Sequence, residues 1–310
     1  PAGDTSRWEK VMKRLSLLNK HYPITDLNCN MVDFQREMED RTDEDLIYDT
    51  VRNTFINQGV VFFGGYAMSL YSRYMPGNVK QKLEKIADFD VLSNDPETTA
   101  EIVKERLKDI GVNNVKIKKR DPVGEVIPVH YEICVGKDTV AMIYKPIACH
   151  SYNVITISGQ KVKIATIDTM LSFYLAFLYA DKDYYNEFTD RILCMSKFLF
   201  DVQQKNRLQQ KGLLKRFSII CYGHQNSIEE LKSEKAAKVR ISITNVGSEL
   251  SFDCPSTPAE IKSAVTAALT AQTPLSLQDV QGHEIIVPAD KIGYVEIGEP
   301  AERRVGFGVV

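Results

Sequence analysis

The sequence has no apolar run near the 18 or so residues that a membrane-spanning helix needs. Its first residues, PAGDTSRW, also lack the apolar segment of a secretory signal peptide. We therefore expect a chain that has no membrane partner and is not secreted by this route.

Cysteine pairs at metal-binding spacing are missing too, because no C-x-x-C motif occurs. The six cysteines are scattered along the chain: Cys29, Cys134, Cys149, Cys194, Cys221 and Cys254. This scatter argues against a zinc ribbon or finger. It predicts reduced, mostly buried thiols in a protein of cytosolic type.

A strong charge of either sign is absent, since 39 Lys and Arg residues face 41 Asp and Glu residues, for a formal net charge of −2. This balance gives no global signature of nucleic-acid binding, so contact with a polyanion must come from a local cluster. With 44% hydrophobic and 26% charged residues in 310 positions, the composition is typical of a globular protein of two or three domains.

The most informative stretch of the chain runs from Val60 to Ser93. Apolar residues up to Phe63 predict a buried strand, Gly64 and Gly65 end it, and a helical pattern of apolar residues follows. A glycine turn at a helix start presents backbone N–H groups that a phosphate can approach closely. The order of strand, glycine turn and helix therefore predicts a phosphate-binding turn.

Two aspartates follow in the sequence IADFDVL. In a strand, Asp88 and Asp90 project from one face while Phe89 and Val91 pack into the core. Paired carboxylates repel each other without a cation, and Mg²⁺ prefers one or two carboxylates together with substrate phosphates. The alternation therefore predicts a divalent-cation site; a solvated face of an edge strand is the alternative.

A Gly-Gly turn followed within about thirty residues by a D-x-D strand resembles the core of the DNA polymerase β-like nucleotidyltransferases. More narrowly, the chain resembles the poly(A) polymerase catalytic subunits of giant viruses and asfarviruses over roughly residues 7–235. The segments that carry this resemblance are FFGGYA, DFDVLS, IPVHYEI, MIYKPIACHSYN, KIATIDTMLSFYLAFLY and NRLQQKGLLKRFSIICYG. It implies an α+β fold: a polymerase β-like core, with a mixed sheet and flanking helices, plus a helical layer.

The resemblance implies a template-independent poly(A) polymerase that transfers AMP from ATP to RNA 3′ ends with two Mg²⁺ or Mn²⁺ ions. Asp88, Asp90 and Glu132 are then the expected catalytic and metal-binding residues. Glu132 is chosen because the third carboxylate usually comes from a strand beside the D-x-D strand, and two ions need more ligands than two aspartates supply. Glu125 and Asp138 remain alternatives.

The resemblance also assigns nucleotide contacts. Gly64 and Gly65 are expected to hold the triphosphate; Tyr66 stands where the family commonly has serine, and Ser69 lies one turn further on. The implied partners are ATP and an RNA 3′ end, with a second copy of the chain or a viral processing protein as further candidates. The implied location is the virion and the host cytoplasm.

A basic segment lies further along the chain. Arg207, Lys211 and Lys215 recur every four residues, which would form one basic stripe on a continuous helix. No acid occurs between Lys205 and Arg216, where the local charge is +5. We predict that Arg207, Lys211, Lys215 and Arg216 bind RNA; a solvated helix face is the alternative.

The character of the chain changes near residue 235. Residues 238–310 contain 6 Lys and Arg against 9 Asp and Glu, and their pattern predicts a small α+β module of order β-β-α-β-β-β. The segments KVRISITNVGSELSFD and VPADKIGYVEIGEPAERRVGFG resemble a family of small actinobacterial proteins of unassigned function. Because a viral polymerase joined to such a protein is unexpected, we favour an artificial fusion over a natural one.

The predicted organisation is a helical segment (1–58), a catalytic core (59–165), a helical second layer (166–236) and the small module (238–310). A second hypothesis is a catalytically silent nucleotidyltransferase-like subunit that serves binding or assembly. Nucleotidyl transfer to a small molecule is a third, although it gives no reason for the basic segment.

Overall fold

The computed structural model describes residues 6–24, 27–34, 38, 43–83, 88–124, 126–216, 218, 220–224, 236–247 and 249–298. The chain divides into two compact units, Pro1–His224 and Gln225–Val305. Whether residues 59–165 and 166–236 are separate domains stays a prediction.

Eight helices are described in the first unit. They are α1 (Ser6–His21), α2 (Glu44–Gln58), α3 (Gly65–Tyr71), α4 (Gly77–Leu83), α5 (Pro96–Asp109), α6 (Ile167–Tyr179), α7 (Asp183–Asn186) and α8 (Thr189–Lys205). The sequence Asp95-Pro96-Glu97, with proline in the first turn, predicts a helix start, and α5 begins there because the Asp95 side chain accepts a hydrogen bond from the Thr98 N–H. Helix α2 ends at Gln58 and is capped by Gly59, whose φ of 66° is the left-handed conformation that glycine adopts easily.

The strands of the first unit form one mixed sheet of eight strands in the order β3-β4-β5-β2-β1-β7-β6-β8. Their bounds are β1 (Val61–Phe62), β2 (Phe89–Leu92), β3 (Val115–Arg120), β4 (His130–Val135), β5 (Asp138–Tyr144), β6 (His150–Ile157), β7 (Gln160–Ala165) and β8 (Cys221–Tyr222). Strand β2 pairs antiparallel with β1 and parallel with β5, so the D-x-D segment lies in the middle of the sheet.

Helix α6 supplies much of the core of the first unit. Its side chains are buried along nearly its whole length, as the apolar run in the sequence predicts. The ring of Phe173 stacks on Phe63 with 4.5 Å between centroids, and that of Phe177 lies 5.5 Å from Tyr144. These contacts pack α6 against the end of β1.

Two disulfides correct the prediction of reduced cysteines. Cys29 pairs with Cys194 on α8, and Cys149 pairs with Cys221, while Cys134 and Cys254 are free and buried. The partners are 165 and 72 residues apart, so sequence spacing carries no sign of the pairing. The prediction of buried thiols holds for Cys134 and Cys254 and is wrong for the other four.

The second unit has the predicted order of elements. Its bounds are β9 (Ala237–Ile243), β10 (Glu249–Cys254), α9 (Pro258–Ala271), β11 (Leu275–Gln278), β12 (Glu284–Val287) and β13 (Ile292–Ile297). Strands β10-β9-β13 form one sheet and β11-β12 a hairpin, over a core of their own that includes Val239, Ile241 and Ile261. No helix in the described ranges is both long and apolar enough to cross a membrane.

Candidate active site

The two aspartates lie at the start of β2, where the sequence places them. Asp88 precedes the strand and Asp90 is its second residue; both are partly exposed, whereas Phe89 and Val91 are buried. This alternation brings both carboxylates to one face, as the i, i+2 spacing requires.

The glycine turn packs directly on the second aspartate. A Cβ atom at Gly64 would lie 1.9 Å from Oδ2 and 2.4 Å from Cβ of Asp90, distances that no side chain can tolerate. The backbone N–H groups of Phe63 and Gly64 donate to the Asp90 carbonyl at 2.9 and 3.3 Å. A residue with no side chain is therefore required where the turn meets the D-x-D strand.

A buried tyrosine of α6 fixes the other side of this turn. The hydroxyl of Tyr174 donates to the Phe63 carbonyl at 3.1 Å. Burial raises the pKa of Tyr174 well above its ordinary value, and the charges of Asp90 and Asp88 raise it further. Both carboxylates therefore act on one buried phenol, which stays protonated and keeps donating to the turn.

The two side chains predicted to contact phosphate, those of Tyr66 and Ser69, have other contacts in the structure. Tyr66 is 7% exposed, and its ring packs 4.8 Å from that of Phe62 between centroids, so burial raises its pKa. The hydroxyl of Ser69 donates to the Tyr66 carbonyl at 2.7 Å. The nucleotide-binding roles of Tyr66 and Ser69 stay predictions. Those of Gly64 and Gly65 stay predictions too, because both glycines are buried and the Gly64 N–H already donates to the Asp90 carbonyl.

Glu132 is on the same face of the sheet as Asp90 but two strands away. Met142 of β5 pairs with Asp90 on one side and with Glu132 of β4 on the other, which separates their Cα atoms by about 10 Å. The structure thus brings Asp88 and Asp90 together without Glu132. Of the alternatives, Asp138 begins β5, and Glu125 lies outside the described residues.

Both oxygens of Glu132 already have partners. Arg120 donates to Oε2 through Nε at 3.0 Å and Nη2 at 2.6 Å, and the Thr139 hydroxyl donates to Oε1 at 2.6 Å. Burial raises the pKa of Glu132, but these hydrogen bonds and the Arg120 charge outweigh it and hold the pKa below its ordinary value. The metal-binding role of Glu132 stays a prediction, and its contacts are those of a buried ion pair.

The donor set fits a divalent cation in part. Within the described ranges no three or more His, Cys, Asp and Glu side chains are grouped to hold a metal ion. Two carboxylates on one strand face, beside a turn that a phosphate could approach, suit one Mg²⁺ or Mn²⁺ ion completed by phosphate oxygens. The arrangement gives no support for a second ion.

One charged residue at the site is not predicted by the sequence analysis. Arg191, in the first turn of α8, is 9% exposed, and its Nη2 donates to Oδ1 of Asp88 at 3.4 Å. The two residues are 103 positions apart. The sequence could have flagged Arg191 only as a charge near the start of an otherwise amphipathic helix.

The basic segment is not a helical stripe, which corrects one prediction. Helix α8 ends at Lys205, and the described helical structure between there and Arg216 is a 3₁₀ turn at Gly212–Leu214, whose first residue has a φ of 57°. Arg207, Lys211 and Lys215 are nevertheless exposed. Arg216, the fourth residue predicted to bind RNA, instead donates from Nε to Asp168 at the start of α6 at 2.9 Å. This residue therefore belongs to an ion pair within the protein.

Comparison with known proteins supports two parts of this picture. Residues 237–308 match the model of a protein family of unknown function, DUF3107. The crystal structure of the Megavirus polyadenylate synthase superposes with a TM-score of 0.57 and 16% identity, over 93% of this chain and 58% of that one. No curated protein sequence matches the chain.

The superposition confirms the predicted fold class. The first unit has a polymerase β-like fold, with a mixed sheet and flanking helices, and a small separate α+β module follows. The chain spans 58% of the length of the viral enzyme it resembles. At this identity the likeness concerns the fold; activity must be argued from the site.

Proposed function

We propose that this chain transfers AMP from ATP to the 3′ end of RNA without a template. The observation that carries the proposal is the packing of Gly64 on Asp90, where a single added carbon would overlap the carboxylate. This contact sets the Gly64–Gly65 turn directly beside two carboxylates. In the proposal, the turn would meet the phosphates of a metal-bound triphosphate and the carboxylates would meet its metal ion.

Each residue of the site has a distinct role in the proposal. Asp88 and Asp90 would hold a Mg²⁺ or Mn²⁺ ion, which when bound would offset phosphate charge and lower the pKa of the attacking hydroxyl. The backbone of Gly64 and Gly65 would orient the triphosphate, and Tyr174 would keep that turn in place through Phe63. A second ion, with Glu132 as its ligand, remains a prediction without support from the arrangement.

RNA is proposed to run along the exposed cations of the basic segment, Arg207, Lys211 and Lys215. No acidic residue interrupts this segment, and single-stranded RNA is held largely through its phosphates. A second copy of the chain, a viral processing partner and a viral location remain predictions.

The test is primer extension by the full chain with RNA, ATP and Mn²⁺. Extension should be lost in Asp88→Asn and Asp90→Asn, and in Gly64→Ala, whose added methyl group must displace Asp90. Asp109→Asn is the control, since it removes an exposed carboxylate at the end of α5. Equal activity in Asp90→Asn and the parent chain would contradict the proposal.

The second candidate is a silent nucleotidyltransferase-like subunit. It is favoured by the placement of Glu132 away from the aspartates and by its engagement with Arg120 and Thr139. Calorimetry separates the two candidates, because the enzyme should bind ATP with Mn²⁺ and lose that binding in Asp88→Asn. A chain that binds no ATP with Mn²⁺ would be the silent subunit.

A further inference from the structure

Arg191 is a buried cation whose hydrogen bonding is incomplete. It is 9% exposed and reaches Oδ1 of Asp88 through Nη2 at 3.4 Å, near the long end of a hydrogen bond. Its Nε is buried and has no hydrogen-bond partner among the described residues. Buried guanidinium groups are normally fully bonded, so this one has donor capacity left for another acceptor.

The charges around Arg191 indicate where that acceptor would come from. An open cavity of about 540 Å³ adjoins Arg191, and its lining includes the acidic residues Asp33, Glu187 and Asp190. Phosphate oxygens would be repelled by this lining. On the side of Asp88 the proposed divalent cation would offset the carboxylate charge, so we expect an anion that reaches Arg191 to come from that side.

We propose that Arg191 couples cation binding to nucleotide binding: its guanidinium balances Asp88 until a divalent cation arrives with a triphosphate, and it then donates to a phosphate oxygen. The inference rests on the proposed function. If the inference is right, the Arg191 charge should weaken the binding of free Mn²⁺ and strengthen the binding of the Mn²⁺–ATP complex. A free Mn²⁺ ion meets a carboxylate already neutralised by a nearby cation, whereas the Mn²⁺–ATP complex is a net anion that the guanidinium attracts.

The experiment measures both affinities by calorimetry on the full chain: Mn²⁺ alone, and ATP at saturating Mn²⁺. Arg191→Gln should bind free Mn²⁺ about tenfold more tightly and ATP about tenfold more weakly, the order of effect expected from removing one nearby positive charge. Arg191→Lys, which keeps the charge, should shift both affinities less. Arg106→Gln is the matched control, because Arg106 is an exposed arginine of α5 paired with Asp109, and it should change neither.

A structural role alone would give a different result. If both affinities fell together in Arg191→Gln, or neither changed, while the melting temperature was retained, the inference would be overturned. If the glutamine variant does not fold, Arg191→Met replaces it in the experiment, because methionine is uncharged and suited to a buried site. The Mn²⁺ and ATP affinities should then shift in the same opposite directions. If the parent chain binds no ATP with Mn²⁺, the proposed function fails as well; if only the Arg191 variants behave unexpectedly, it stands.

Discussion

At the scale of single residues, Glu132 has the environment of a buried ion pair. Its carboxylate receives two hydrogen bonds from Arg120 and one from Thr139, and the Arg120 guanidinium also lies 4.8 Å above the ring of Tyr184. A group that binds a metal needs a free lone pair directed at the ion. These contacts instead tie β3, β4 and β5 to the segment around α7.

We expect Glu132→Gln to lower the free energy of unfolding by about 1–3 kcal/mol, because it leaves Arg120 without its anionic partner. Urea denaturation measures the loss. Mn²⁺ affinity should stay at the parent value, and Glu101→Gln on α5, which removes an exposed pair with Lys104, should change neither quantity. A variant of normal stability that no longer binds Mn²⁺ would restore Glu132 as a ligand.

His150 provides a second prediction, on pH dependence. Its Nε2 is shielded from solvent and has no hydrogen-bond partner in the part of the chain that the structure describes. Burial, with a smaller effect of the Arg14 charge, lowers the pKa of His150 from 6.5 to about 4. Between these values the unfolded chain binds a proton that the folded chain does not. Stability should therefore fall as the pH drops from 6.5 to 4, by up to about 3 kcal/mol from this residue.

The measurement compares unfolding free energies at pH 7 and pH 4.5 for the parent chain and for His150→Phe. The phenylalanine variant should lose less stability on acidification, since its ring stays neutral and can pack on Phe173, 5.0 Å away between centroids. The variant still contains His130, whose pKa is also lowered by burial, so part of the pH dependence remains in it. His21→Gln, at the exposed end of α1, should follow the parent, and an unaltered slope in His150→Phe would refute the assignment.

At this scale, the sequence could predict the placement of a side chain only where neighbouring residues decide it. Asp88 and Asp90 are placed correctly because strand alternation alone decides which way they face, and Gly64 follows from its place between a strand and a helix. Arg191 and the partners of Glu132 could not be predicted. They are brought in by elements that are distant in sequence or by strand pairing whose register the sequence does not reveal.

At the scale of elements, apolar periodicity and helix-start signals predict helices at residues 8–19, 42–57, 95–110 and 167–178, within a few residues of α1, α2, α5 and α6. The hairpin of β6 and β7 is not predicted, because the alternation in HSYNVITI is interrupted by polar residues such as Asn153. This side chain is buried for a tertiary reason, since its amide donates to the Lys215 carbonyl at 2.8 Å. The prediction of a basic helix is wrong, because cations spaced four residues apart do not give a helix an apolar face with which to pack on the rest of the protein.

The basic segment can still contact RNA without being helical. Replacing Arg207, Lys211 and Lys215 together by alanine should weaken binding to every RNA sequence alike and flatten the log–log salt slope by about two units, at roughly 0.7 per phosphate. Binding titrations at several salt concentrations measure this. Stability should change little, because the three side chains are exposed.

The control replaces Lys104, Arg106 and Lys108 of α5, three cations on an element with no proposed RNA contact. It removes the same charge and should leave the slope nearly unchanged. If instead the basic-segment variant kept its slope and melted at a lower temperature, these residues would serve packing. RNA would then have to follow another route, with Lys116, Lys118, Lys119 and Arg120 as the next candidate.

At the scale of the whole molecule, the chain combines a unit with a polymerase β-like fold and a unit that matches a family of unknown function. The second unit buries its own apolar residues, and its helix α9 has its own start signal, a capping box between Thr257 and Glu260. Composition indicated this change in character, since the excess of acids after residue 237 contrasts with the balance before it. The artificial origin of the junction stays a prediction.

If the two units fold independently, residues 236–310 made alone should unfold cooperatively, since every strand and helix of this unit then remains present. The full chain should show two thermal transitions, one of which matches that of the isolated unit. Removing residues 236–310 should leave the other transition, together with the affinity for ATP in Mn²⁺, at its value in the full chain. Calorimetry tests all three expectations. A single transition in the full chain, with residues 1–235 unfolded on their own, would show that the second unit is a structural part of the first, and the case for a fusion would be lost.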